Sequence, residues 1–244
     1  VIYEWKLDNE SRNFGDALPE AMTPPDIYQD WADDPEVMYF PIGSVICNDI
    51  IAETLYNGYK PVFIGCGWRG EELDPALVIH CEFYGARGPH TQAELARHGI
   101  EVEVVGDPAY MLPQIFAKSA PNGLAMVIRH VLDESDYTPN TIHEYGADAV
   151  FSPVVHDEGD IIAVIEKISG ARFVLAGSMH AAIVAHAYDV PFALLDGPYI
   201  DCLPKWYDWF ASVNLGEPEF VSNIVEGRKW YNEKFRDRKP NGTN

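Results

Sequence analysis

The sequence predicts an α/β protein of two parallel-sheet domains facing each other across a cleft. Three observations predict it. Short apolar runs alternate with helical segments along much of the 244 residues, the pattern of strand–helix–strand units in a parallel sheet. The runs end in turns of small residues, where glycine tolerates positive φ and lets a ligand approach the backbone at a strand's carboxyl end. A polar stretch with Pro and Gly, Lys118-Ser119-Ala120-Pro121-Asn122-Gly123, separates two such blocks. The bounds drawn are 1–119 for the first domain, 124–200 for the second, and 201–244 for a helical segment and tail.

The elements follow in order. Asn13-Phe14-Gly15-Asp16 reads as a strand-to-helix turn. Val37–Phe40 is a strand leading through Gly43-Ser44 into a helix over Val45–Leu55. Val62–Ile64 is a strand closed by Gly65-Cys66-Gly67. Val78–Tyr84 is a strand closed by Gly85-Ala86-Arg87-Gly88, and a helix follows from Pro89 to His98, with Pro suited to a first helical position. Val102–Val105 leads to Gly106-Asp107-Pro108, an N-cap followed by Pro. In the second block Leu124–Ile128 is a strand ending at Arg129-His130, and Asp160–Ser169 is a helix. Phe173–Ala176 is a strand, Gly177-Ser178 the turn after it, and a short helix through Ala187 precedes the strand Phe192–Leu195. His80-Cys81, inside a strand, and the aromatic group Trp206, Tyr207, Trp209 and Phe210 read as core. Arg236–Asn244 is a polar tail that frays, and its sequon Asn241-Gly242-Thr243 reads as chance.

The formal charge of −21 argues against nucleic acid and against docking on an anionic membrane, since both need clustered Lys and Arg. It also means that an anionic ligand must find locally concentrated cations, so each basic residue at a turn gains interest. The apolar runs are too short for a transmembrane helix, and no signal peptide is read at the N-terminus. Four cysteines (Cys47, Cys66, Cys81, Cys202) show neither CxxC nor zinc spacing, which points to a reduced, cytoplasmic protein. No ligand cluster suggests a metal. The motifs of P-loop NTPases, dinucleotide-binding dehydrogenases, zincins and α/β-hydrolases are missing from the sequence.

His180 leads the candidate residues. With Ser178 as N-cap it lies in the first turn of a helix, beside backbone N–H groups that favour an anion, where an imidazole can act as acid or base. A histidine that merely hydrogen-bonds a neighbouring strand explains the position equally well, and His186 on the same helix reads as structural. Arg87 stands at another strand end before a helix and suits a bidentate phosphate or carboxylate contact; an ion pair with one of the many carboxylates is the equal alternative. Asp107-Pro108 is read as a cap rather than a site. Asn13 and Asp16 bind hydroxyls or cap, and Arg129 and His130 are placed to face the cleft. Gly43, Gly67, Ser178 and Met179 complete the turns assigned to substrate binding.

Six segments taken together carry a resemblance. Asn13-Phe14-Gly15-Asp16-Ala17-Leu18, Ile42-Gly43-Ser44-Val45-Ile46, Phe63-Ile64-Gly65-Cys66-Gly67-Trp68, Arg87-Gly88-Pro89-His90-Thr91, Gly106-Asp107-Pro108-Ala109 and Ser178-Met179-His180-Ala181-Ala182-Ile183-Val184-Ala185 occur in that order. The chain thereby resembles the polysaccharide pyruvyl transferases, in particular the branch acting on exopolysaccharides such as succinoglycan. The resemblance implies a glycosyltransferase-B-like pair of Rossmann-like domains. It implies transfer of the pyruvyl group of phosphoenolpyruvate to two hydroxyls of one sugar, giving a cyclic ketal and phosphate. Phosphoenolpyruvate is then donor substrate, with no cofactor or metal, and the acceptor is a sugar or lipid-linked oligosaccharide, which allows a peripheral place at the inner face of the membrane. Arg87 matches the family's RGP-type Arg, expected to hold phosphoenolpyruvate, and His180 the histidine expected to transfer protons. Many members carry Arg two residues before that histidine, where this chain has Ser178; Arg129 or His130 is the candidate to compensate. Two other readings stay open: a nucleotide-sugar glycosyltransferase of similar fold, and a catalytically silent glycan-binding protein.

Overall fold

The computed structural model describes residues 1–8, 10–135 and 138–235. The tail from Arg236, with its sequon, lies outside the described residues. The chain runs β1 (Arg12–Asn13), α1 (Phe14–Met22), α2 (Pro25–Asp33), β2 (Val37–Phe40), α3 (Asn48–Tyr56), β3 (Lys60–Phe63), α4 (Pro75–Val78), β4 (Glu82–Phe83), α5 (Pro89–Arg97) and a 3-10 turn, Pro108–Met111. It continues α6 (Leu112–Ile115), β5 (Ala125–Ile128), α7 (Pro139–Glu144), β6 (Ala149–Phe151), β7 (Val154–Val155), α8 (Glu158–Ser169), β8 (Phe173–Ala176), α9 (Met179–Ala187) and β9 (Phe192–Leu195). The last elements are α10 (Leu203–Ser212), β10 (Phe220–Val221) and α11 (Ile224–Lys234). The fold is α/β with parallel sheets.

Packing divides the chain into two compact units. The first is Val1–Ala109 with Asp201–Pro218, and the second is Tyr110–Ile200 with Glu219–Asn244. The division falls before the polar stretch at 118–123. Residues 201–244, drawn from sequence as one appendage, are shared between the units: α10 goes to the first, β10 and α11 to the second.

The first unit holds a parallel sheet of order β2-β3-β4. Its register sets Phe40 beside Phe63 and Phe63 beside Phe83. Their rings stack in a row, with centroids 4.5 and 5.2 Å apart. Ile46, Ile51, Leu73 and Leu95 close the core around them. Because the strands are parallel, all three carboxyl ends lie on one edge, and the turns Gly43-Ser44, Gly65–Gly67 and Gly85–Gly88 follow them there. The second unit holds a parallel sheet of order β10-β9-β8-β5-β6. Its central strands β5, β8 and β9 are buried at every residue, as expected where helices cover both faces. Asp157 caps α8 by accepting from the Asp160 N–H at 2.9 Å. Helix α9 is buried from Met179 to Ala185. A Cβ at Gly227 of α11 would meet the Ala193 Cβ at 2.8 Å, so glycine lets that helix lie close against β9.

Several elements differ from expectation for local reasons. The strand expected over Val78–Tyr84 is only Glu82–Phe83, because Asp74 caps a turn of helix begun by Pro75. His80 therefore stands exposed in a turn and is not core. Val102–Val105 makes only the single bridge Ala86–Val104 instead of a strand. Helix α3 starts at Asn48, since Ile46 is held in a bridge to Trp68. The aromatic group on α10 is core at Trp206, Trp209 and Phe210, whereas Tyr207 is exposed. Asp107 acts as the cap expected of it, accepting from the Ala109 N–H at 3.0 Å.

Candidate functional site

The candidate residues gather at the carboxyl edges of the two sheets, one group in each unit. In the first unit Asn13 is the N-cap residue of α1, yet its side chain does not cap. Its amide donates to Asp16 at 2.7 Å instead. Gly43 lies beside that carboxylate: it has φ +108°, and a Cβ there would be 3.1 Å from Asp16 Oδ1. The Gly43 carbonyl accepts from the Gly67 N–H at 2.9 Å, joining the first two turns. The Arg87 N–H donates to the Cys66 carbonyl at 3.0 Å, joining the third.

Arg87 is fully buried, at 0 % exposure. Its Nη1 donates to Ser44 Oγ at 2.6 Å and its Nη2 to the Lys205 carbonyl at 3.3 Å. Its Nε is 3.6 Å from Asp208 Oδ2. A Cβ at Gly67 would lie under 3.0 Å from Nη2, Cζ and Nε, so the guanidinium occupies the space that glycine leaves. Asp208 is equally buried. It accepts from the backbone N–H groups of His90 and Thr91 at 2.9 and 3.0 Å and from the Thr91 hydroxyl at 2.8 Å. It thus caps α5 from a neighbouring helix and partners Arg87 at the same time. Gly88 permits this approach, because a Cβ there would lie under 3.0 Å from the carbonyl and carboxylate oxygens of Asp208. The ion pair anticipated as the alternative for Arg87 is therefore present, as part of a network built for it.

Two more cations stand beside this network. Arg69 donates to the Ser44 carbonyl at 3.3 Å and pairs with Asp201 at 3.2 Å. Lys205 donates to the same Asp201 at 2.6 Å. Burial pulls the Lys205 ammonium below the usual lysine pKa, and Asp201 opposes that shift. Sequence reasoning missed Ser44 as a partner of Arg87, and it missed Arg69, Lys205 and Asp208. One signal was legible: a carboxylate at Asp208 within an aromatic helical face must find a partner when buried.

In the second unit β5 and β8 are neighbours in register, with Ile128 opposite Ala176. The residues just beyond them, Arg129-His130 and Gly177-Ser178, therefore meet. A Cβ at Gly177 would be 3.1 Å from the His130 backbone nitrogen. Ser178 is the N-cap residue of α9, but its side chain makes no capping hydrogen bond. Met179 and His180 form the first turn and are buried, His180 at 6 % exposure. His130 Nδ1 accepts from the Leu132 N–H at 3.1 Å, which leaves its proton on Nε2 in the neutral ring. The ring stacks on Tyr199, centroids 4.5 Å apart. Strands β5 and β9 flank β8, and the segments that follow these two strands meet in this ring pair. Arg129 Nη1 donates to the Ser135 carbonyl at 3.5 Å. His186 is structural, with Nδ1 2.7 Å from the Tyr110 hydroxyl and its ring packed on Phe192.

Among the described residues no group of three or more His, Cys, Asp or Glu is arranged to hold a metal ion. Among them no helix is long and apolar enough to cross a membrane.

The family profile described as "Polysaccharide pyruvyl transferase" matches residues 39–197. That range runs from β2 in the first unit to just beyond β9 in the second. The chain is also similar to "Succinoglycan biosynthesis protein ExoV" of Rhizobium meliloti (strain 1021), with 23% identity over 218 residues, 84% of this chain and 65% of that protein. The chain thus spans less than two thirds of that relative's length.

Proposed function

The chain belongs to the polysaccharide pyruvyl transferase family, and from that premise we propose that it transfers the pyruvyl group of phosphoenolpyruvate to two hydroxyls of a sugar in an exopolysaccharide precursor. The product is a cyclic ketal, and phosphate is released. The observation that carries this reading is the buried histidine in the first turn of α9, at the sheet edge and inside the matched range. A helix N-terminus favours an anion there, and an imidazole beside it can move protons.

The chemistry needs an acid/base group and an anion clamp. A proton is added to the methylene carbon of phosphoenolpyruvate, and positive charge develops at the adjacent carbon. One sugar hydroxyl attacks that carbon and gives up its proton. Phosphate leaves with its bonding electrons, and the second hydroxyl closes the ring and loses a proton in turn. Of the two hydroxyl protons, one balances the new methyl group and the other the phosphate. In this reading His180 carries these protons, the N–H groups of α9 face the donor, and Arg129 and His130 supply the cationic and hydrogen-bonding character that Ser178 lacks. Asp16, oriented by Asn13, is suited to a sugar hydroxyl. Arg87 contributes positive potential from within its enclosure. The glycosyltransferase-B-like fold that the family resemblance implies belongs to this reading.

The test is phosphate release from phosphoenolpyruvate in the presence of a panel of sugar acceptors. His180→Ala is expected to abolish it while leaving thermal unfolding within a few degrees of wild type. Normal turnover in that variant overturns the assignment. Thermal stabilisation by UDP or GDP, with none by phosphoenolpyruvate, favours a nucleotide-sugar glycosyltransferase instead.

A further inference from the structure

We propose that Ser44, with Arg69 beside it, is the group of the first unit that contacts an oxyanion of the donor, and that Arg87 acts through Ser44 rather than by touching the donor. The proposal rests on the pyruvyl-transfer reading. It starts from a conflict between chemistry and geometry: a clamp must reach its ligand, yet Arg87 has no exposed surface. Each edge of its guanidinium faces protein, with Ser44, the Lys205 carbonyl and Asp208 as partners.

Ser44 resolves the conflict. Its Oγ accepts a charge-assisted hydrogen bond from Arg87 at 2.6 Å. A hydroxyl has a single proton, and an oxygen that accepts from a cation is left to donate that proton outward. The cation polarises the O–H and strengthens it as a donor. Ser44 is only partly buried, whereas the Arg87 side chain has no exposed surface.

Arg69 adds the second half. Its Nη1 reaches the carbonyl of the same residue at 3.3 Å, and its side chain is 37 % exposed. Its partner Asp201 is shared with Lys205, so Arg69 can turn toward a ligand without leaving that carboxylate unpaired. Asp16, whose Oδ1 would lie 3.1 Å from a Cβ at Gly43, is the nearby carboxylate that an anion would avoid. In a chain of formal charge −21 such a pairing of hydroxyl and cation is a scarce resource.

The experiment is calorimetric titration of the full chain with phosphoenolpyruvate, without acceptor. Ser44→Ala is expected to weaken binding about tenfold or more, the worth of one hydrogen bond in a charged setting. Ser44→Thr, which keeps the hydroxyl, is expected to stay within about threefold of wild type. Arg69→Gln leaves the Arg87–Ser44 bond in place and is expected to weaken binding too, with a shallower salt dependence than wild type. Inorganic phosphate and pyruvate, used as competitors, tell which oxyanion of the donor is bound: the variants lose competition by that one alone. Wild-type affinity in Ser44→Ala overturns the inference while leaving the pyruvyl-transfer reading intact. Should Ser44→Ala fail to fold, wild-type affinity in Arg69→Gln overturns it equally. A folded wild-type chain that neither binds nor consumes phosphoenolpyruvate overturns both.

Discussion

Arg87 shows how far one side chain can organise its surroundings. Two glycines exist for it: Gly67 leaves room for the guanidinium, and Gly88 admits its partner Asp208. Gly67→Ala is expected to unseat Arg87 and cost about 1–3 kcal/mol, the usual penalty of overpacking, measured by urea unfolding. Asp208→Ala is expected to cost about 3–5 kcal/mol, because it strands a buried cation and uncaps α5 at one stroke. A variant of Asp208 with wild-type stability would contradict the network described here. His180 contrasts with Arg87. Its removal is expected to abolish turnover in a chain that still folds, read as phosphate release beside an unfolding curve.

Among elements, α10 has the largest consequence. It lies more than one hundred residues beyond α5 in sequence, yet supplies that helix's cap and two partners of Arg87, the Lys205 carbonyl and Asp208. Within Leu203–Ser212 the one local sign of this role is the carboxylate of Asp208 set among aromatic residues. Other elements are governed by their own ends. Asp157→Ala removes the cap of α8 and is expected to cost about 1 kcal/mol, read as a lower midpoint in chemical unfolding. Helix α9 obeys neither pattern. It is apolar around its circumference because other elements cover it on every side, so periodicity says little about its orientation. What identifies it is its start, where Gly177 allows the backbone of Arg129 and His130 to approach.

For the whole molecule, charge and burial make two predictions. The formal charge of −21 implies self-repulsion, so added salt is expected to raise the melting temperature. Several neutral acids are wholly or partly buried, and burial raises each above its usual value. Tyr3, Tyr188 and Cys81 are pushed up to about 12, and Tyr28 and Cys66 also rise. The folded chain therefore keeps protons that the unfolded chain releases above the ordinary values of 9.0 for cysteine and 10.0 for tyrosine. The stability they contribute is complete below about pH 9 and falls as pH rises toward 12. Lys205, lowered from 10.5, acts in the opposite sense and only partly offsets this loss. Urea midpoints in reducing buffer are expected to be lower at pH 11 than at pH 8; equal midpoints would refute it. Sequence by itself determined the α/β class, the order of the turns and the position of His180, because strand patterning, glycine turns and helix starts are short-range properties. It also located Arg87 and Asp16 at sheet edges. Only the tertiary structure decided the strand order, the shortening of the expected strand at Val78–Tyr84 to Glu82–Phe83, the assignment of α10 to the first unit, and the enclosure of Arg87 by Ser44 and Asp208. Those outcomes depend on which distant segments fill the space beside each turn, and close packing between residues far apart in the chain leaves no periodic trace in the sequence.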